Sequence, residues 1–249
     1  MTYLIIGASS DMGKALIKKI DAETAADACP GVSAEKPLVI AHYRSDIQPL
    51  TELAAQCNNI FIKPLQADLS DEKQVKDLIV SIEACALDGI NKIVFLPAMP
   101  LEYTKLKSLD LERLKKQMEI SIYSFLKIMQ NFLPNMRKIE NSRLVCVLSK
   151  VVTEELPPKM MADYVITKYA LTGAMKALAS EYGNSCLSII GIAPDMTESK
   201  FLDNIDERIK LMTAASMKEG RLLLPEEVAK EIYRLLNTCN TNNGNISEL

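Results

Sequence analysis

Tyr164 and Lys168 lie four residues apart in Asp163-Tyr164-Val165-Ile166-Thr167-Lys168, a spacing that puts two side chains on one face of a helix. A free phenol, with a pKa near ~10, is a poor acid–base group at neutral pH. An ammonium on the next helical turn is expected to stabilise the phenolate and lower that value, each pKa unit being worth ~1.4 kcal/mol. The tyrosine can then pass a proton to or from a carbonyl oxygen. Ser149, upstream of this pair and closing an apolar run, is placed to hydrogen-bond the same oxygen. A further element stands near the start, where an apolar run enters Gly7-Ala8-Ser9-Ser10-Asp11-Met12-Gly13. Small residues there let the backbone approach a pyrophosphate, and the helix that follows offers free amides and a partial positive charge. Ser9 and Ser10 add hydroxyl donors. Each signal alone is weak: Tyr-x-x-x-Lys arises by chance, and glycine turns join strands to helices without any ligand. In this order they form a set of groups for moving a hydride and a proton.

These residues need a scaffold that presents them together. Apolar runs of strand length occur at residues 3–6, 38–43, 60–65, 92–96, 143–148 and 187–192, several almost continuously apolar, as strands covered on both faces are. Helical patterns fall between them, over 12–20, 50–56, 71–84, 111–137 and 164–182, with Ser70 as the expected cap of the third. The alternation predicts an α/β fold: a Rossmann-like, doubly wound parallel sheet with helices on both faces, as one domain over residues 1–249. The two long helices carry much apolar surface, which serves either core packing alone or, on one side, a subunit interface as well. Residues 21–36 look like a surface insertion, residues 237–245 like a loose polar tail, and 245–249 like a short last strand.

Composition narrows the function classes. The 249 residues are 48% apolar with a net charge of −3, which gives no basic footprint for nucleic acid or an anionic membrane. No apolar stretch approaches the ~20 residues of a membrane helix, and the start reads as a first strand rather than a signal peptide. The six cysteines are scattered without a C-x-x-C pair and read as reduced thiols of a cytoplasmic protein. A single histidine, His42, excludes a multi-histidine metal site and argues against a Ser-His-Asp hydrolase, so no metal is expected.

The second strand ends in His42-Tyr43-Arg44-Ser45, where a doubly wound nucleotide fold meets the adenosine ribose. An acid there would bind a free 2′-hydroxyl; Arg44 with Ser45 instead favours the 2′-phosphate of NADP(H) over NAD(H), unless Arg44 is simply solvated. The third strand leads into Asp68-Leu69, where Asp68 either accepts from an adenine amino group or caps the following helix.

Residues 7–13, Asp68, 143–149, 164–168, Ile190-Gly191-Ile192-Ala193-Pro194 and Pro225-Glu226-Glu227-Val228-Ala229 together resemble the short-chain dehydrogenase/reductase family over nearly the whole chain. The resemblance implies a sheet of about seven strands and a nicotinamide cofactor. It implies Tyr164 as proton donor and acceptor, Lys168 binding the nicotinamide ribose and tuning that tyrosine, and Ser149 orienting the substrate. It also implies a homodimer or homotetramer through helices 111–137 and 164–182. The cofactor would run along Gly7 to Gly13, Arg44, Ser45, Asp68, Leu69, Pro97, Ala98 and Pro194.

The chain departs from the family's pattern at several points. Asp11 replaces the middle glycine of the turn. The Asn-Asn-Ala-Gly stretch is Leu96-Pro97-Ala98-Met99, and Pro97 lacks an amide donor. The asparagine that holds a relay water aligns with Ser121, and Pro-Gly after the sixth strand is Pro194-Asp195. The threonine near the carboxamide falls at Thr197 or Ser199. Residues 196–224 occupy the place of the family's substrate lid, with Met196, Phe201, Leu202 and Ile205 among charged residues. They suit an amphipathic helix pair closing over a pocket, or an ordinary packed helix. Met99, Met160 and Met161 are further candidates for the pocket wall.

The expected activity is hydride transfer between nicotinamide and a carbonyl or secondary alcohol, the small-molecule substrate being neutral. A second reading, motivated by the departures, is a catalytically weak NADP-binding sensor or scaffold. An epimerase or dehydratase of the extended family would need a substrate domain for which the chain has little room.

Overall fold

The computed structural model of the chain describes residues 1–26, 35–238 and 243–249. Seven strands form one parallel sheet: β1 (Thr2–Ile6), β2 (Leu38–Tyr43), β3 (Phe61–Gln66), β4 (Lys92–Phe95), β5 (Ser142–Val147), β6 (Leu187–Ala193) and β7 (Ile246–Glu248). Their order is β3-β2-β1-β4-β5-β6-β7. The chain winds outward from β1 to β3, then returns to place β4 on the other side of β1. That reversal opens a crevice beyond the carboxyl ends of β1 and β4, the position where such sheets bind ligands. Ile6 pairs with Phe95 in register, so Gly7 and the Leu96-Pro97 turn emerge side by side at the crevice floor.

Alternation along β1 sorts the core into two layers. Leu4 and Ile6 point to one face, with Phe125, Ile128, Met129, Leu171 and Met175. Tyr3 and Ile5 point to the other, with Leu16, Ile17, Val228 and Ile232. The first face is covered by α3 (Glu72–Cys85), α5 (Ser124–Met136) and α6 (Ala162–Tyr182), and the second by α1 (Asp11–Ala26), α2 (Gln48–Gln56) and α8 (Pro225–Asn237). β1, β4 and β5 are buried throughout, which is why their sequences are almost unbroken apolar runs. The edge strand β3 is different. It exposes Phe61 and carries Pro64, which lacks a ladder donor and is tolerated on an edge.

Several expectations need correction. The helix predicted over 111–137 is three segments: α4 (Leu111–Met118), a π-helical step at Glu119–Tyr123, and α5. Such steps often mark functional sites, and Ser121 lies inside this one. Helix α1 continues to Ala26, taking in residues assigned to a surface insertion; residues 27–34 lie outside the described part. The cap of α3 is Asp71, whose carboxylate accepts the amides of Lys73 and Gln74, because the Ser70 hydroxyl is engaged by Asp68 at 2.7 Å. The segment 196–224 holds a 3-10 turn (Lys200–Leu202) and one helix, α7 (Glu207–Ser216), rather than a helix pair. Of the expected loose tail, residues 239–242 lie outside the described part, but Asn243 and Gly244 are tied to Ile189 at 2.6 and 2.8 Å and lead into β7. Cys29 and Cys239 also fall outside; Cys57, Cys85, Cys146 and Cys186 are free thiols. Among the described residues no helix is long and apolar enough to cross a membrane.

Candidate active site

The turn after β1 is built by glycine and closed by serine. Gly7 has φ +86°, a left-handed conformation that favours glycine, and a Cβ on Gly13 would lie 2.6 Å from the Ala8 carbonyl oxygen. Ser10 Oγ donates to the Gly7 carbonyl at 2.7 Å and accepts the Gly13 amide at 3.1 Å. Its hydroxyl therefore closes the turn instead of standing ready for a ligand, as Ser9 beside it still can. The amides of Asp11 and Met12, in the first turn of α1, have no intrahelical acceptor. They fit the pyrophosphate of a dinucleotide.

Asp11, the acid in place of a glycine, has both oxygens engaged. Oδ2 accepts the Lys200 amide at 2.9 Å, across the crevice from the 196–224 segment, and Oδ1 meets Lys14 Nζ at 3.0 Å. Burial opposes its ionisation, but the Lys200 amide and Lys14 outweigh it and hold the carboxyl below its usual range. The negative charge is thus compensated locally.

His42, used above only to exclude metal and hydrolase chemistry, braces this turn. Its Nδ1 accepts the Gly7 amide at 3.1 Å, and its Nε2 lies 3.0 Å from the Ala67 carbonyl oxygen. Two such partners require the neutral ring with the proton on Nε2. The Ala8 amide donates to the His42 carbonyl at 2.8 Å, so one residue ties together the ends of β1, β2 and β3. Burial drives its pKa down to about 4. The sequence offered one signal for this role, a lone histidine within a buried apolar strand.

Arg44 and Ser45 stand exposed at the end of β2, with the Arg44 carbonyl held by Gln66 Nε2 at 2.6 Å. Asp68 does not cap α3. Its Oδ1 accepts the amide and hydroxyl of Ser70 at 2.9 and 2.7 Å. Burial opposes its ionisation, but the Ser70 bonds, with Lys116 and Arg44, hold the carboxyl low. The Leu69 side chain is buried in the core. Pro97 and Ala98 are half-buried beyond β4, and the Pro97 carbonyl accepts Ser121 Oγ at 3.3 Å. Pro194 follows β6, and its carbonyl accepts the Lys150 amide at 3.0 Å. Thr197 is buried and bonds the Asp195 carbonyl at 3.0 Å, while Ser199 Oγ donates to the Thr197 carbonyl at 3.2 Å.

Ser149, Tyr164 and Lys168 come together on the same side of the sheet. Ser149 follows β5, and its hydroxyl faces the Tyr164 phenol closely enough to favour the phenolate. Tyr164 lies in the first turn of α6, and Lys168 Nζ sits 5.7 Å from the centre of its ring. The electrostatics correct the sequence expectation. Burial pushes the Tyr164 phenol up to about 12, with the Ser149 hydroxyl opposing. Burial pushes Lys168 down to about 8, with the Cys146 side chain opposing. The ammonium, which donates to the Val147 carbonyl oxygen at 2.7 Å, gives up its own proton near 8 and is neutral before the phenol titrates.

An apolar wall closes the site from the other side. Phe201 packs on Tyr164 with ring centres 5.7 Å apart, and Leu101, Val151, Met161 and Leu202 surround them. Of the other methionines proposed for this wall, Met99 packs against the main core and Met160 is exposed. Sequence reasoning missed the Arg113–Asp163 pair beside Tyr164, 3.2 Å apart but 50 residues apart in the chain.

A family model described as enoyl-(acyl carrier protein) reductase matches residues 24–241. The 3-oxoacyl-(acyl-carrier-protein) reductase FabG of Aggregatibacter actinomycetemcomitans is 26% identical over 242 residues, covering 94% of this chain and 91% of the relative. Among solved structures, a short-chain dehydrogenase/reductase from Serratia marcescens BCRC 10948 superposes with a TM-score of 0.82 at 16% identity, over 100% of this chain and 95% of the other. BdcA in complex with NADPH superposes with a TM-score of 0.80 at 18% identity, over 100% and 92%.

The His42 brace makes a prediction about acid stability. In the folded chain the ring stays neutral down to about pH 4, whereas in the unfolded chain it protonates near its ordinary 6.5. As pH falls the unfolded state takes up the proton first, so stability present above pH 6.5 is lost through the window down to about 4. That gap corresponds to about 3 kcal/mol. Urea midpoints measured between about pH 6.5 and 5, above most carboxylate titrations, should fall with pH in the wild type and much less in His42→Gln. Equal slopes in the two proteins would contradict the brace.

Proposed function

The chain belongs to the short-chain dehydrogenase/reductase family of NAD(P)-dependent oxidoreductases, and from that premise we propose that it interconverts a carbonyl and a secondary alcohol with NADP(H), Tyr164 giving and taking the proton. The observation that carries this reading is the cluster of Ser149 on the Tyr164 phenol with the Lys168 ammonium beside the ring. It lies on the crevice side that the glycine turn shares.

The dinucleotide would be held by the Asp11 and Met12 amides and by Arg44 and Ser45, and when bound it supplies the hydride for the carbonyl carbon. Ser149 orients the carbonyl oxygen by a hydrogen bond. Tyr164 delivers its phenolic proton to that oxygen, so one O–H bond breaks as another forms. The hydride that the bound dinucleotide would supply carries both electrons, so Tyr164 has only the proton to deliver. Lys168 offsets the charge of the phenolate left behind, which regains its proton from solvent. In the oxidising direction the phenolate takes the alcohol proton. Burial keeps the phenol protonated at neutral pH, the form that reduction requires.

NADP(H) is favoured by Arg44, whose guanidinium suits a 2′-phosphate, and BdcA, which shares this fold, was solved with NADPH. A neutral substrate is favoured by the apolar wall of Leu101, Met161, Phe201 and Leu202 on one side of Tyr164. A homodimer or homotetramer is favoured by Tyr123, Ile166 and Tyr169, which are exposed on the helices that would meet.

Tyr164→Phe keeps the ring against Phe201 and removes the proton. NADPH oxidation across a panel of aldehydes and ketones should fall by about 10²–10⁴-fold, while NADPH binding, read by nicotinamide fluorescence, stays near wild type. Retained turnover in this variant, or a wild type that binds NADPH and reduces nothing in the panel, overturns the reading. Arg44→Glu removes charge-assisted bonds worth about 1.5–3 kcal/mol. Its Kd for NADPH should rise roughly 10- to 100-fold, with NADH binding little affected; equal loss for both would exclude a 2′-phosphate site at Arg44.

A further inference from the structure

We propose that Arg113 is a positioning residue for this chemistry, locking residues 100–104 onto the first turn of α6 and thereby fixing where Tyr164 stands. The inference rests on the role assigned to Tyr164 above.

Arg113 lies in the first turn of α4, whose start is fixed by Asp110 accepting the Glu112 and Arg113 amides. From there its guanidinium reaches three groups on two segments. Nε donates to Asp163 Oδ2 at 3.2 Å, Nη1 meets Glu102 Oε1 at 3.0 Å, and Nη2 donates to the Pro100 carbonyl. A planar, permanently charged fork can hold three acceptors in fixed directions, which a lysine cannot.

Asp163 is the informative partner. It is 4% exposed and immediately precedes Tyr164. Its second oxygen accepts the Tyr164 amide at 2.8 Å. A carboxylate taken out of water needs a counter-charge, and among the described residues Arg113 is the cation paired with it. The same carboxylate therefore holds both the guanidinium and the backbone of the tyrosine.

Backbone ties reinforce the junction. Met160 has φ +66°, a left-handed conformation unusual for a residue with a side chain. Its carbonyl accepts the Thr104 amide at 2.7 Å, and Thr104 bridges to Met161. Strained residues of this kind persist where the surroundings over-determine them. At the other end of the strap, the Leu101 amide donates to the Phe201 carbonyl at 3.2 Å, behind the ring that packs on Tyr164. Arg113 thus bears on the phenol from two directions: through Asp163 on the helix that carries it, and through Pro100 and Glu102 on the strap that supports the wall above it.

The test compares full-length wild type, Arg113→Met, Arg113→Lys, Asp163→Asn, the Arg113→Met/Asp163→Asn double variant and Tyr164→Phe. NADPH oxidation is measured with the best-reduced member of an aldehyde and ketone panel, and rates are expressed per NADPH-binding site counted by fluorescence titration. A purely structural pair would lower the number of sites and the Tm but not kcat per site. Arg113→Met should lower kcat per site by about tenfold or more, as small misplacements of a reacting group do, with Kd for NADPH within about twofold. Arg113→Lys should recover part of the rate, and the double variant should be no slower than Arg113→Met alone, because both changes break one linkage. A kcat for Arg113→Met within about threefold of wild type, or losses that multiply in the double variant, overturns the proposal. Should Arg113→Met not fold, Asp163→Asn decides: a kcat per site lowered at least about fivefold supports the proposal and an unchanged one overturns it. If Tyr164→Phe keeps the wild-type rate, or wild type reduces nothing, the proposed function has failed and this inference fails with it. If Tyr164→Phe is inactive and Arg113→Met is unimpaired, only the inference about Arg113 fails.

Discussion

Withdrawing a phenol and an ammonium from water within a few ångströms of each other is the constraint that organises this molecule. Burial disfavours both charged forms, so it drives Tyr164 up to about 12 and Lys168 down to about 8, which sets the phenol well above the amine although their ordinary values nearly coincide. An ammonium so placed must find an acceptor, and the carboxyl end of β5 provides one in the Val147 carbonyl. The phenol finds the Ser149 hydroxyl in the same stretch. The pair is therefore tied to the carboxyl end of β5, and helix α6 has to lie where its first two turns reach that strand end.

The rest of the site consists of segments that cannot hold their own shape and are held by polar groups from elsewhere. Gly7 needs a left-handed turn, and the His42 imidazole accepts its amide while reaching Ala67 on the neighbouring strand. Asp11 sits where its charge would oppose a pyrophosphate, and Lys14 with the Lys200 amide compensates it. The π-helical step after α4 brings Ser121 to the Pro97 carbonyl although the family's asparagine is missing. Each tie satisfies a group that would otherwise be costly to bury.

How far the sequence revealed this depends on the range of the interaction. Strands β1, β4, β5 and β6 were legible nearly to the residue, because strands buried on both faces are written as continuous apolar runs. The nearness of Tyr164 and Lys168 was legible because helical spacing places both on one face whatever surrounds them. The helix break at Glu119–Tyr123 was not: a π-helical step preserves the apolar pattern that identifies a helix. The choice of Asp71 over Ser70 as a cap was not, since both are capping residues and only Asp68 decided between them. The Asp11–Lys200 bond joins residues 189 positions apart, and the direction of the Tyr164 shift depends on burial, which no spacing records.

The most direct test of this account is the titration of Tyr164 itself in the free protein. The chain carries eight tyrosines, and labelling them at Cζ with carbon-13 gives signals from which Tyr164→Phe assigns the one in the site. The account predicts a phenol that stays protonated past about pH 10, the unperturbed range, titrating near 12 after Lys168 has lost its proton near 8. A phenolate appearing near neutral pH would mean that the neighbouring cation outweighs burial, and the physical picture of the site would be wrong.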